Sequence, residues 1–117
     1  MADGDRRRAA LGGFGEELAA RHYRGCGYAV LERNWRCRAG EIDLICARGT
    51  TLVVCEVKAR TGTAHGHPLE AVTRAKQLRL RRLAALYLQR QERRWAEVRF
   101  DVVSVLGGTV DVVEGAF

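Results

Sequence analysis

The sequence has no long run of apolar residues. A helix that spans a bilayer needs roughly 18 to 20 consecutive apolar residues, whereas the longest apolar runs are Leu83 to Leu88 and Leu52 to Cys55. The apolar segment near the N-terminus is interrupted by glycines and then by Glu16 and Glu17, which does not fit a signal peptide. We therefore expect a cytoplasmic protein with no membrane partner.

Closely spaced cysteine pairs are also lacking. Cys26, Cys37, Cys46 and Cys55 are 11, 9 and 9 residues apart, and no C-x-x-C pair occurs. This spacing does not fit a zinc ribbon or a redox motif. Reduced thiols are the expectation, and a bridge between Cys46 and Cys55, on neighbouring predicted strands, is the alternative.

Lysine is scarce although the net charge is +6, with 20 basic and 14 acidic residues. Only Lys58 and Lys76 are lysines, and all other basic residues are arginines. The positive charge favours a polyanionic partner such as nucleic acid, and the alternative is a basic protein without such a partner. An ammonium group can release a proton when its pKa is lowered, whereas a guanidinium cannot, so the two lysines are candidates for a specific role.

The length of 117 residues allows one hydrophobic core. We expect a flexible tail over residues 1–10 and a single domain over residues 11–117. The predicted helices are Leu11 to Arg24 and Leu69 to Gln91, with a loop Thr61 to Pro68 before the second. The predicted strands are Tyr28 to Arg33, with Asn34 to Arg36 as a candidate extension, Glu41 to Ala47, Thr51 to Arg60, Val98 to Leu106 and Thr109 to Glu114. This order predicts an α/β fold in which helices flank a central mixed β-sheet.

Charged residues interrupt the apolar pattern of the two central strands. Alternation places Glu56 and Lys58 on one face of their strand, together with Leu52 and Val54. In the preceding strand, it places Glu41, Asp43 and Ile45 on one face and Ile42, Leu44 and Cys46 on the other. An antiparallel hairpin, favoured by the short connection at Gly49, would bring Asp43 beside Glu56.

Two carboxylates and an ammonium group suit the cleavage of phosphodiester bonds. Asp43 and Glu56 would hold Mg²⁺ or Mn²⁺ through oxygen ligands. Lys58 would orient the attacking water or help to deprotonate it, for which a lowered pKa is favourable, and would stabilise the developing negative charge. The alternative is an ordinary surface ion pair, but unpaired charges in a strand are costly unless they serve a purpose.

Five segments carry a resemblance to a known family: GFGEELAARHYRGCGYAVLERNW, GEIDLI, LVVCEVKAR, HPLEAVTRAKQ and FDVVSV. Over about residues 12 to 106, the chain resembles the small bacterial YraN-like proteins. These are similar to Holliday-junction resolvases and restriction-type endonucleases of the PD-(D/E)XK superfamily. The resemblance implies a restriction-endonuclease-like fold, metal-dependent endonuclease activity on DNA with branched DNA as a candidate substrate, and a homodimer.

The resemblance also assigns residues. Asp43 matches the Asp of the superfamily motif, Glu56 and Lys58 match its (D/E)-x-K, and Ile42 replaces its proline. Glu16 matches an acidic residue that helps to hold the metal, although a carboxylate that interacts with the helix dipole is an equal alternative. Glu41 is a candidate auxiliary ligand.

The second predicted helix carries further candidates. Lys76 and Gln77 occupy the part of the helix where relatives place a polar residue near the cleft, and Lys76 lies on its inward stripe; the alternative is a surface lysine. The candidates for contacts with the phosphate backbone are Arg74, Arg79, Arg81 and Arg82. The rival functions are a non-catalytic nucleic-acid-binding protein on a nuclease fold and a protein that docks on an acidic partner.

Overall fold

The computed structural model describes the backbone of residues 3–60 and 72–117 and the side chains of residues 13–59 and 72–117. Its elements are α1 (Asp3–Gly25), β1 (Ala29–Cys37), β2 (Gly40–Arg48), β3 (Thr51–Arg60), α2 (Arg74–Gln89), β4 (Glu97–Leu106) and β5 (Thr109–Val113). The strands form one sheet in the order β1-β2-β3-β4-β5. The β3–β4 pair is parallel and the other pairs are antiparallel. The predicted α/β class with a mixed sheet is confirmed.

Both helices differ in extent from the prediction. Helix α1 begins at Asp3 instead of Leu11. Helix α2 begins at Arg74 because Thr73 has an extended backbone and its side chain accepts a hydrogen bond from the Lys76 N–H, which caps the helix. Residues 61–71, which include the predicted loop, lie outside the described residues. The flexible tail and the domain bounds stay predictions.

Each face of the sheet packs against one helix. Beneath α1, the buried core comprises Ala19, Ala20, Tyr23, Tyr28, Leu44, Cys46, Val53, Cys55, Val103 and Val105. Beneath α2, it comprises Ile42, Ile45, Leu52, Val54, Leu80, Leu83, Ala84, Tyr87 and Phe100. The alternation predicted for β3 is confirmed, because Val53 and Cys55 face α1 whereas Leu52 and Val54 face α2.

One buried carboxylate has a structural explanation. Asp101 in β4 is completely buried. It accepts hydrogen bonds from the Tyr23 hydroxyl at 2.7 Å, the Arg99 Nε at 2.9 Å and the Gly115 N–H at 3.0 Å. These bonds satisfy its charge and tie α1 and the C-terminal segment to the sheet.

All four cysteines are free thiols, so the alternative bridge between Cys46 and Cys55 is not formed. In the part of the chain that the structure describes, neither helix combines the length and the apolar character that a bilayer span requires.

Candidate metal centre

Strands β2 and β3 form a fork at Asp43. Their paired residues run from Arg48 and Thr51 to Leu44 and Cys55. Beyond that point, the Asp43 Oδ2 accepts a hydrogen bond from the Val57 N–H at 2.8 Å. The Asp43 carboxylate therefore takes the place of a β2 backbone carbonyl as the partner of the Val57 N–H in β3. This hydrogen bond fixes Asp43 between the two strands.

The alternation of side chains is broken at the same position. Ile42 packs beneath α2, whereas Leu44 packs beneath α1. On the neighbouring strand β1, Asn34 lies between the residues that pair with Leu44 and Ile42, and its backbone φ is 52°. Asn tolerates this left-handed conformation better than most residues. The predicted shared face of Asp43 and Ile45 is wrong, because Ile45 packs beneath α2 and Asp43 lies with Glu16 of α1.

Helix α1 approaches the fork closely because it carries a glycine there. Gly15 is buried, and a Cβ atom at this position would lie 3.1 Å from the Cβ of Ala59. The next residue, Glu16, accepts a hydrogen bond from the Asn34 Nδ2 at 2.7 Å. Asn34 thus links the irregular part of β1 to the carboxylate of α1.

Three carboxylates meet at the fork. One oxygen each of Glu16, Glu41 and Asp43 lies within 4.8 Å of the other two. Opposite oxygen ligands of one Mg²⁺ ion are roughly 4 Å apart, and this ion prefers carboxylate oxygens, so the donor set fits a divalent cation. We call these three residues the carboxylate cluster.

The predicted ligand set is only partly brought together. Glu16 and Asp43 belong to the carboxylate cluster, and the auxiliary candidate Glu41 is its third member. Glu56 is not in this group, and its Oε1 lies 3.1 Å from the Lys58 Nζ in a largely buried ion pair. Glu56 is nevertheless close enough to raise the pKa of Asp43.

The carboxylate cluster is electrostatically unfavourable without a cation. Burial raises the pKa of Asp43 to about 7, the negative charges of Glu56, Glu16 and Glu41 add to this effect, and the Val57 N–H opposes it. Burial also raises the pKa of Glu16, and the hydrogen bond from Asn34 opposes that shift. A divalent cation would relieve both the burial of charge and the repulsion.

Lys58 and Lys76 are in contact, which confirms the inward direction predicted for Lys76. Burial lowers the pKa of Lys58, but hydrogen bonding with Lys76 and Glu56 outweighs this effect and raises the pKa. Hydrogen bonding with Lys58 and the charge of Lys58 lower the pKa of Lys76. The neighbouring carboxylates therefore stabilise the ammonium form of Lys58.

The other candidates on α2 lie in different surroundings. The Gln77 side chain donates to the Val72 carbonyl at 3.3 Å, so it supports the start of the helix. Arg74 is exposed at the first residue of α2. The Arg81 guanidinium lies 4.8 Å from the ring centroid of Phe100.

Arg79 and Arg82 lie near the turn between β1 and β2. The Arg79 side chain passes close to Gly40, where a Cβ atom would be 3.9 Å from its Cδ. Arg82 lines a groove together with Arg38 of that turn. These two predicted arginines thus lie on one side of the helix.

Sequence reasoning missed Asn34, and the apolar pattern of β1 held no signal for it. Val30 packs beneath α1 and Trp35 packs beneath α2, and residues five apart lie on opposite faces in a regular strand as well. The register shift between Val30 and Glu32 and the positive φ of Asn34 offset each other, so the pattern looks regular from end to end.

The fold and the site define an α/β protein with a five-stranded mixed sheet and a carboxylate cluster at a strand fork. The chain belongs to the uncharacterised protein family UPF0102, whose model matches residues 15–105. This match confirms the resemblance to YraN-like proteins and includes every residue of the carboxylate cluster.

Three relatives illustrate the similarity. The UPF0102 protein of Clavibacter michiganensis subsp. michiganensis is 55% identical over 115 residues, which cover 94% of this chain and 98% of the relative. That of Acidothermus cellulolyticus is 48% identical over 125 residues, covering 94% and 95%. That of Nocardia farcinica is 54% identical over 99 residues, covering 85% and 78%.

Proposed function

We propose that this protein is a metal-dependent endonuclease that hydrolyses phosphodiester bonds in DNA, on a restriction-endonuclease-like fold. The observation that carries the proposal is the position of Asp43, a carboxylate held in a strand fork by the Val57 N–H with two further carboxylates within 4.8 Å. Burial and these neighbours raise its pKa. A fold that keeps such a group against its electrostatic cost is typical of a functional site.

The carboxylate cluster would hold Mg²⁺ or Mn²⁺, and Glu56 would contribute from the adjacent strand. The bound ion would neutralise charge on the phosphate and acidify a water molecule. Asp43 is already fixed by the Val57 N–H, and Glu16 by Asn34. Two of the ligands therefore need little reorganisation.

Lys58 would act mainly through its charge. Its raised pKa keeps the ammonium protonated at neutral pH, which suits stabilisation of the negative charge that develops during phosphoryl transfer. Glu56 holds the ammonium in place at 3.1 Å. Lys76 adds a second basic group beside Lys58.

The net charge of +6 supports a nucleic-acid substrate, because sequence-independent affinity comes mostly from contacts with phosphates. The choice of DNA, the preference for branched structures and the homodimer rest on the resemblance to resolvases. The cytoplasmic location rests on the composition.

A substrate panel tests the proposal. Labelled duplex, single-stranded, flap and four-way-junction DNA, together with RNA, are incubated with Mg²⁺, Mn²⁺ or EDTA. We expect cleavage of at least one DNA that requires a divalent cation and is lost in Glu56→Gln.

The matched control is Glu92→Gln, which removes an exposed carboxylate beyond the end of α2. Cleavage that persists in Glu56→Gln would indicate a contaminating nuclease and contradict the assignment. Salt-sensitive binding of DNA without cleavage under any condition would instead identify a non-catalytic nucleic-acid-binding protein.

A further inference from the structure

A groove of about 340 Å³ lies between α2 and the turn that joins β1 to β2. It is lined by Cys37, Arg38, Ala39, Arg82, Leu86 and Arg90. Half of the lining residues are arginines, and none is acidic. We call it the arginine groove.

The arginines of this groove have no carboxylate partners among the described residues. Among the side chains of residues 13–59 and 72–117, the ion pairs involve Arg21, Arg33, Arg36, Lys58 and Arg99 as cations. Within the described residues, the three guanidinium groups around the groove therefore have no counter-charge within ion-pair distance, and an anion in the groove would supply one.

Stability of the fold explains only one of the three arginines. Arg90 caps α2, where a cation interacts favourably with the helix dipole, and its guanidinium lies 5.5 Å from the centroid of a Trp35 ring. Arg38 and Arg82 are exposed, and the described part of the chain shows no comparable contact for either. Their positions call for a different explanation.

A row of basic side chains on α2 runs from the arginine groove towards Lys58. At 100° per residue, the side chains of Lys76, Arg79, Arg82 and Arg90 fall within about one third of the circumference of α2. Arg74 and Arg81 fall on the other side. This basic strip is roughly 21 Å long, from the contact between Lys76 and Lys58 to the groove.

We propose that the arginine groove binds backbone phosphates of the nucleic-acid substrate, and that the strand runs from there along the basic strip to Lys58. Guanidinium groups match phosphate oxygens with paired hydrogen bonds. The C-terminal end of α2 repels anions through its dipole, so binding at this end requires the arginines. The class of substrate, a nucleic acid, rests on the proposed function. The groove adds Arg38 and Arg90 to the residues that contact its phosphates.

The test compares two double variants with the same loss of charge. Arg38→Gln/Arg82→Gln removes two groups from the groove, and the control Arg24→Gln/Arg94→Gln removes two exposed arginines outside the basic strip. Arg90 is left intact because it also caps α2. Binding of a fluorescein-labelled DNA duplex is measured by anisotropy in EDTA, over a range of salt concentrations, after melting curves show that both variants are folded.

We expect the groove variant to reduce the slope of log K against log salt by about 1.8, because each phosphate contact in duplex DNA contributes roughly 0.9. This change corresponds to roughly 30-fold weaker binding at about 0.15 M salt. The control variant is expected to stay close to the wild type.

Each outcome separates this inference from the proposed function. Equal losses in the groove and control variants would overturn the inference and leave the endonuclease proposal intact. Selective loss in the groove variant of a protein that never cleaves would support the inference while the endonuclease proposal fails. Absence of duplex binding by the wild type would overturn the inference, whereas the endonuclease proposal is decided by the cleavage panel.

Discussion

Replacing Lys58 with methionine is expected to lower the rate of metal-dependent DNA cleavage roughly 10² to 10³-fold without weakening the binding of the cation. Methionine keeps much of the apolar stem and removes only the charge. The ammonium does not coordinate the cation. Its removal leaves Glu56, with which it pairs at 3.1 Å, available to the cation. The measurement is the cleavage rate at saturating DNA, combined with a Mn²⁺ titration of the same variant.

Asp43→Asn is the contrasting variant, because it should lose both cleavage and cation binding. Glu92→Gln serves as the control at an exposed site. Wild-type cleavage by Lys58→Met would show that the ammonium does not stabilise the transition state. Loss of Mn²⁺ binding in Lys58→Met would show that Lys58 acts by organising the site.

Replacing Asp43 with asparagine is expected to raise the free energy of unfolding at pH 8 by about 2 kcal/mol in the absence of metal. The pKa of Asp43 is about 7 in the folded state, against an ordinary value of 3.8. The protonated carboxyl therefore stabilises the fold below about pH 4, and this contribution is lost as the pH rises through about 7. The full shift corresponds to about 4 kcal/mol, and we halve it because Asp43 is partly exposed and coupled to other carboxylates.

Asparagine retains a side-chain oxygen that accepts from the Val57 N–H, so the strand fork is preserved. Urea unfolding at several pH values between 4 and 8 provides the measurement. The difference between wild type and Asp43→Asn should grow with pH, whereas Asp111→Asn, an exposed change in β5, should show no such trend. A variant that is less stable than the wild type at pH 8 would contradict the raised pKa.

Much of the fold was predictable because local signals agreed with the tertiary structure. The short connections at Gly49 and at Gly107 and Gly108 predicted the hairpins β2–β3 and β4–β5, and both form. The parallel pairing of β3 with β4 was less accessible, because it depends on the path of the chain through α2. The start of α2 was placed too early because the capping role of Thr73 was not recognised.

The candidate site was predictable only where the strand was regular. Alternation correctly placed Lys58 on the face of β3 that carries Leu52 and Val54, since β3 is paired with β4 along its whole length. It failed at Asp43. There, the irregular backbone at Asn34 and the end of the β2–β3 pairing change which face of the sheet the side chains of β1 and β2 occupy. Neither effect is local to β2, so no periodicity of that strand could reveal it.

The pKa of Lys58 illustrates a second limit of sequence reasoning. A neighbouring positive charge lowers the pKa of a lysine, and Lys76 does supply one. Hydrogen bonding and the nearby carboxylates of Glu56 and Asp43 nevertheless prevail and raise the pKa of Lys58. The balance between these neighbours depends on distances that only the packed structure fixes.

Calorimetric titration with Mn²⁺ tests most directly whether the carboxylate cluster is a divalent-cation site. We expect saturable binding that strengthens about tenfold between pH 6 and pH 8 and releases protons at the lower pH, because Asp43 must ionise to coordinate the ion. Binding should be lost in Asp43→Asn and kept in Asp111→Asn. Equal Mn²⁺ affinity in wild type and Asp43→Asn, or no Mn²⁺ binding by the wild type at pH 8, would contradict the account.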